Sequence, residues 1–332
     1  MASRKPPVFI IGCPRSGTTL LYHILLSSGG FAVYRSESNA FNLVGLKYGD
    51  LRTERDRRAF LDKWLSSYMF TRTGLDRERV EQSIMRDCHS AGDFLRIVMD
   101  GMAEAQGVDR WAECTPTHAL HLKEIRAAFP DAQVIHMIRD GRDAALSLAK
   151  LGWIHPLPWD REGGLVAAAL YWKWIVEAGR RNAARAGLPY LEIRFEDLVS
   201  APRETTARIG GFIGHEIDYD RVLETAIGSV GEPNTSFAGE RKNFNPVGRW
   251  HAAMGPETLA EVEATIGDLL EELGYELASG DAPARATRPR RGRLRALYPP
   301  YFSFKEWVKA NTPLSRYLVS TATMEEKLAP TV

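Results

Sequence analysis

Short apolar runs alternate with helix-period segments along most of this chain. Val8-Phe-Ile-Ile-Gly12 and Val134-Ile-His-Met-Ile138 are near-continuous apolar runs, the pattern of strands buried on both faces. Pro189 to Phe195 and the shorter Arg110 to Glu113 predict two more strands, and Phe31 to Tyr34, after Gly29-Gly30, a further short one. Between them the spacing of apolar positions predicts helices over Leu20–Leu26, Thr117–Phe129, Gly141–Lys150 and Leu165–Ala186. Pro256 to Gly274 reads as a helix with proline in its first turn and glycine at its end. Ser200, followed by Pro202, predicts the start of a helix running to about Ile213.

Residues 42–107 have a different texture, charged and helix-periodic, with helices expected over Glu54–Tyr68 and Arg77–Met85. Ser90-Ala-Gly-Asp93 is a capping box with Asp for the usual Glu, so a third helix starts there. Alternating buried strands and helices imply right-handed crossovers: an α/β fold, a parallel sheet with helices on both faces, here with a helical insertion over one edge.

Composition narrows the class. Among 332 residues, 43 are Lys or Arg and 42 Asp or Glu, a net charge of +1 that argues against a nucleic-acid binder or an electrostatic membrane coat. Cys13, Cys88 and Cys114 are too scattered for a disulfide framework or a zinc site, so no metal is expected. No apolar run approaches a membrane span or a signal h-region, so the expectation is a cytoplasmic protein. Near the C-terminus, Arg285, Arg288, Arg290, Arg291, Arg293 and Arg295 lie among Pro, Ala and Gly. That composition reads as a linker over 279–296, between a domain of residues 1–278 and a tail of 297–332 in which Tyr298–Val319 forms one more helix.

The sharpest chemical signal is Gly12-Cys-Pro14-Arg15-Ser16-Gly17-Thr18-Thr19, a P-loop spacing with Thr18 where lysine normally stands. A strand feeds a loop whose backbone N–H groups turn inward, and the next helix adds its free N-terminal donors, which together cradle a phosphate-like anion. Arg15 supplies positive charge from within the loop. A second anion site is suggested after the 134–138 strand, where Arg139 stands at the carboxyl end and Ser147 two helical turns on. Asp140 could be read as a magnesium-binding acid, but it stands past Arg139, and a cation beside that arginine is unfavourable.

As a pair these motifs resemble the P-loop sulfotransferases that use 3′-phosphoadenylyl sulfate (PAPS), over roughly residues 6–275. Arg139-Asp-Gly-Arg142 and Gly248-Arg249-Trp250 are most similar to the bacterial group related to tyrosylprotein sulfotransferases. The resemblance implies a P-loop NTPase-like fold and transfer of sulfonate to a hydroxyl of a small-molecule, lipid or sugar acceptor, with PAP as product. It implies that Pro14 to Thr19 hold the 5′-phosphosulfate and Arg139 with Ser147 the 3′-phosphate. Lys150, Arg194, Ser236 and Arg249 are further candidate nucleotide contacts. Glu37, in Arg35-Ser-Glu37-Ser-Asn, stands where relatives carry a general base, and His118 is the rival base.

One departure from the family pattern stands out. Relatives carry a lysine next to the glutamate of a Glu-Lys-Thr-Pro segment, and Glu113-Cys114-Thr-Pro116 has cysteine there. Arg15 or another cation must then carry more of the leaving-group charge. Two rival readings stand beside the sulfotransferase: a kinase or NTPase with a degenerate P-loop, and a non-catalytic PAP-binding protein. The insertion and Gly152–Trp159 are the expected acceptor-facing parts, and a homodimer is left open.

Overall fold

The computed structural model describes residues 5–157, 163–231, 245–279 and 288–325. Four parallel strands, β1 (Val8–Gly12), β2 (Ala112–Glu113), β3 (Gln133–Ile138) and β4 (Tyr190–Arg194), form one sheet in the order β2-β1-β3-β4. The strand at the chain's start is therefore central, and β1 pairs with β3 from Val8↔Gln133 to Gly12↔Met137. Crossover helices force the parallel arrangement and cover both faces.

Alternation along the strands divides the core in two. Val8, Ile10, Ile135, Met137 and Ile193 pack against the helix Thr18–Ser27 and the helices of residues 195–213. Phe9, Ile11, Val134 and Ile138 face the long helix Gly164–Ala186, the insertion and the C-terminal helices. Within the insertion, which holds the helices Glu54–Trp64, Arg77–Asp87 and Ala91–Ala105, Phe60 stacks on Trp64 and Phe94 meets both edge-to-face, the Phe60 and Phe94 centroids 4.9 Å apart. Ser90 caps the third helix by accepting the Asp93 N–H at 3.0 Å, while Asp93 reaches back to the His89 N–H at 3.1 Å.

Four local expectations are corrected. Phe31 to Tyr34 is not a strand; it makes a single bridge, Phe31 to Arg110. The Gln106 side-chain amide takes the place of a neighbouring strand there, accepting from the Val33 N–H at 2.7 Å and donating to the Val33 carbonyl at 3.3 Å. Ser200 is not a cap, because it ends a short helix, Phe195–Ser200, and Pro202 opens the next with Ala201 before it. The helical run expected over Thr117–Phe129 is split into a 3-10 turn, Pro116–Leu120, and a helix, Leu122–Ala128.

The fourth concerns the arginine-rich segment. A helix begins at Arg288 and runs to Asn311, so the second half of the expected linker is helical. Leu294, Tyr298 and Phe302, spaced i, i+4, i+8, bury one face of it, with Phe302 edge-on to Tyr171 and tilted against Trp174 of the long helix. Trp174 Nε1 also donates to Ser303 Oγ at 3.0 Å. Burial of three aromatic or aliphatic side chains outweighs the poor helix propensity of its Gly and Pro residues.

Candidate active site

The loop after β1 is built by close approach. At Gly12 a Cβ would stand 2.5 Å from the Met137 carbonyl oxygen, so only glycine lets β1 lie so near β3 as it leaves the sheet. Gly17 has φ +87°, and a Cβ there would stand 2.2 Å from the Phe195 ring. Arg15 also lies in the left-handed region, at φ 72°. The positive φ at Arg15 and Gly17 bends the loop sharply, and the Ser16 N–H closes the turn on the Cys13 carbonyl at 3.1 Å; a loop so curved is the concave form that can cradle an anion. The helix Thr18–Ser27 starts at the loop and points its unpaired first-turn N–H groups the same way.

Three arginines converge beside this loop. Arg139 donates from Nη1 to the Arg15 carbonyl at 2.9 Å and from Nη2 to the Pro246 carbonyl, and its guanidinium lies 4.8 Å from the Phe195 ring centroid. Arg15 Nε donates to Ser147 Oγ at 3.0 Å, so the loop arginine, the strand-end arginine and the helical serine form one cluster. Burial, and then the neighbouring Arg139 charge, lower the pKa of Arg15. Burial also lowers that of Arg139; Asp143 and Glu196 oppose the shift and Arg249 adds to it. Guanidiniums held this close, mutually repelling yet always protonated, call for an anion between them. Ser16 Oγ and Arg139 Nε are buried with no hydrogen-bond partner among the described residues, which fits a phosphate-bearing ligand.

The Gly248-Arg249-Trp250 segment is held to this cluster by a buried network. Asp143, in the first turn of the helix that follows Arg139, accepts the Gly248 N–H at 2.9 Å and the Trp250 N–H at 3.0 Å, and lies 3.8 Å from Arg139 Nη2. Asp140 takes a forked pair from Arg142 and the indole N–H of Trp250 at 3.1 Å. Its carboxylate is thus committed to Arg142 and Trp250, which leaves no role as a magnesium ligand. Arg142 stacks 3.8 Å from the Trp250 centroid and reaches Glu263 at 2.5 Å, joining the helix Pro256–Glu272 to the same knot. Sequence reasoning assigned no role to Asp143. The available signal was its place in the first turn of the helix that opens just after Arg139, which brings a carboxylate back toward the strand-end arginine.

Glu37 is exposed, on the segment that enters an irregular helical turn at Ala40–Gly45. That segment hangs on a buried set of polar groups: Glu113 accepts from the Ser38 hydroxyl at 2.7 Å and the Ser38 N–H at 3.2 Å, and Thr115 Oγ1 accepts the Asn39 N–H at 3.2 Å. His118 belongs to this set. Its Nδ1 donates to Glu113 Oε2 at 2.9 Å and its Nε2 accepts the Phe41 N–H at 3.5 Å, and the ring is fully buried. Burial works to raise the Glu113 pKa, but His118, Thr115 and Ser38 together hold it below the ordinary carboxylate value. With both ring nitrogens engaged, His118 fits a structural anchor for the Glu37 segment better than a base.

Cys114 sits between Glu37 and the P-loop. Burial first, then the charges of Glu37 and Glu113, raise its thiol pKa well above the ordinary value, while a hydrogen bond with Thr18 opposes the shift. Thr18 and Cys114, which stand where the P-loop and family patterns each place a lysine, are therefore neutral neighbours.

The other residues singled out by the motifs fall around this centre. Arg194, at the end of β4, packs 4.3 Å from the Tyr275 ring centroid, and Tyr275 donates to Glu196 at 2.8 Å. Lys150 is exposed, one turn past Ser147, and Pro14 and Thr19 are half-buried on the loop. Trp250 is buried as a core anchor, while Trp153 is 55% exposed. Ser236 lies outside the described residues, as does Trp159.

A parallel sheet whose inner strand β1 runs into a glycine-bearing loop, with an arginine cluster at its carboxyl edge, is an α/β fold of the P-loop type. A sulfotransferase family model matches residues 6–219, and the chain belongs to the sulfotransferase family. Its fold is similar to the sulfotransferase domain of the Synechococcus PCC 7002 olefin synthase, at 18% identity and TM-score 0.53, covering 84% of this chain and 98% of that one. It is similar also to the sulfotransferase domain from the curacin biosynthetic pathway, at 17% identity and TM-score 0.56, covering 83% and 100%. No curated protein matches the chain in sequence. No helix among the described residues is long and apolar enough to cross a membrane.

Proposed function

We propose that this sulfotransferase takes its sulfonate from PAPS and delivers it to a hydroxyl of a small-molecule, lipid or sugar acceptor. The observation that carries the reading is the junction of Arg15, Arg139 and Ser147 at the P-loop, with Arg249 close enough to act on Arg139. A nucleotide with phosphates at both its 5′ and 3′ positions matches two anion sites that share one arginine cluster.

PAPS, when bound, supplies a sulfonate already attached to a good leaving group. The N–H groups of Gly17 to Thr19 and the Ser16 hydroxyl hold its 5′-phosphosulfate end, and Arg139 with Ser147 its 3′-phosphate. Glu37 takes the acceptor's hydroxyl proton as the acceptor oxygen bonds to sulfur and the bond from sulfur to the phosphate oxygen breaks. The charge left on that phosphate is met by the loop N–H groups and Arg15. Positioned donors acting where charge develops are the main source of rate in such transfers. The neutral Thr18–Cys114 pair adds no charge, so Arg15 bears more of the load.

Calorimetry with PAP, ATP plus magnesium, and PAP on Arg139→Ala tests the donor site. PAP should bind more tightly than ATP, and Arg139→Ala should weaken it at least tenfold, the loss of one charge-assisted contact of about 1.5–3 kcal/mol. Tighter ATP binding would favour the kinase reading. Glu37→Gln should lower turnover at least 100-fold at unchanged PAP affinity. Unchanged turnover in that variant would remove Glu37 as the base, and PAP binding without sulfonation of any acceptor would favour the non-catalytic reading.

A further inference from the structure

The Arg288–Asn311 helix keeps an outward face that nothing in the sulfotransferase site uses. Its inner face is anchored by Leu294, Tyr298 and Phe302, and the Tyr298 hydroxyl accepts the Leu157 N–H at 3.0 Å. Opposite, Leu297, Pro300, Phe304 and Trp307 follow an i, i+3, i+7, i+10 spacing, which places them along one side of the helix. Phe304 is 62% and Trp307 55% exposed, and their rings lie nearly parallel with centroids 6.3 Å apart. Beyond the helix end Leu314, Tyr317 and Leu318 are exposed as well, Tyr317 at 86%. Six exposed large apolar side chains on one short stretch exceed what scattered surface residues account for.

Charge separates the candidate occupants. Residues 288–318 hold eight basic side chains and one acidic, Glu306, while the whole chain, with 43 basic and 42 acidic residues, is nearly neutral. The chain-wide balance thus hides a strongly basic segment on a net acidic body. Arg295, Lys309 and Arg316 make ion pairs with Asp268, Glu306 and Asp56, and Arg293 and Lys305 are exposed. A symmetric dimer through this face would bring two basic segments together, which like-charge repulsion opposes. A basic helix with exposed Trp, Phe, Tyr and Leu, too polar to span a bilayer, has the composition of a helix that lies in the membrane interface.

We propose that the outward face of residues 288–318 docks this protein on an anionic lipid bilayer, Phe304 and Trp307 entering the headgroup region and the flanking arginines and lysines meeting lipid phosphates. The anchored inner face lets this happen without unfolding.

The test is co-sedimentation of the full-length chain with vesicles of phosphatidylcholine containing a quarter phosphatidylglycerol, and with phosphatidylcholine alone, at low and high salt. Binding to the anionic vesicles, weakened by salt and at least tenfold weaker on phosphatidylcholine, is expected. Phe304→Ser with Trp307→Ser should lower the affinity at least tenfold. Arg293→Ser with Lys305→Ser should lower it about fivefold per cation. All four side chains are exposed, so thermal melts should be unchanged; if the aromatic pair lowers the melt, the charge pair carries the test. No binding to anionic vesicles overturns the proposal, and so does binding indifferent to the aromatic pair. A dimer in sedimentation velocity that Trp307→Ser dissolves, without vesicle binding, would assign the face to a second copy of the chain and likewise overturn it.

Discussion

Asp143→Asn removes a charge and one acceptor while keeping the side chain's volume, so its effect isolates the latch between the strand-end arginine and the Gly248-Arg249-Trp250 turn. Asp143 is 2% exposed and accepts two backbone N–H groups, from Gly248 and Trp250, at 2.9 and 3.0 Å. Asparagine can accept one of them through its carbonyl, but its amide then faces the other N–H donor to donor. A hydrogen bond to a charged group contributes about 1.5–3 kcal/mol, and a buried donor left unmatched costs about 1–3 kcal/mol. Losing one such bond, and the ion pair to Arg139, therefore predicts a destabilisation of about 2–4 kcal/mol. Urea denaturation reads this directly.

The same change should reach the nucleotide site, because the latch holds Arg249 beside Arg139. PAP affinity by calorimetry should fall about tenfold, since a tether of about 1–2 kcal/mol on a charged contact is lost. In an Arg249→Ala background the same substitution should cost PAP binding little more, a non-additivity that marks residues acting through one another. Wild-type stability in Asp143→Asn would refute the bonding scheme. A full tenfold loss on top of Arg249→Ala would refute action through Arg249.

Other consequences are as direct. Gly17→Ala places a Cβ on the Phe195 ring and forces a non-glycine residue to φ +87°, so the loop must shift and PAP binding by calorimetry should be lost. The thiols of Cys13, Cys88 and Cys114 are buried, and burial raises that of Cys88 to about 12, so a thiol reagent should label the protein only after unfolding. Burial also lowers the pKa of His23 to about 4, of His136 to about 4 and of His121 to about 3. All three lie below the unfolded histidine value of about 6.5, so the unfolded chain binds more protons between these limits and stability is lost as pH falls from about 6.5 to about 4. A melting temperature constant over that window would contradict the assignment. His136→Phe should flatten part of it.

Much of this site was legible in the chain. Gly12, Gly17 and the apolar run before them gave away a tight strand-to-helix loop, because close backbone approach and positive φ leave glycine no substitute. Arg139 and Ser147 were legible for a similar reason: a strand end and a helical face fix where two side chains can point. The Ser90 capping box was visible because caps are local hydrogen bonds. The setting of His118 was not legible, since a histidine's role depends on what meets its two nitrogens, and Glu113 and Phe41 reach it from other segments. Phe31 to Tyr34 has a strand's composition, and nothing local reveals that the Gln106 amide occupies its edge.

By itself the sequence determined the alternation of strands and helices, the position of the glycine-bearing loop after β1 and its missing lysine, since these rest on periods and spacings of a few residues. Tertiary structure alone decided that Arg15, Arg139, Ser147 and Arg249 share one centre, that Asp143 ties them to a turn a hundred residues on, and that Thr18 and Cys114 meet. It alone decided, too, that an arginine-rich stretch with the composition of a linker is a helix with one buried and one bare face. Helix formation there depends on what Leu294, Tyr298 and Phe302 pack against, and burial against a distant element is the term no local pattern contains.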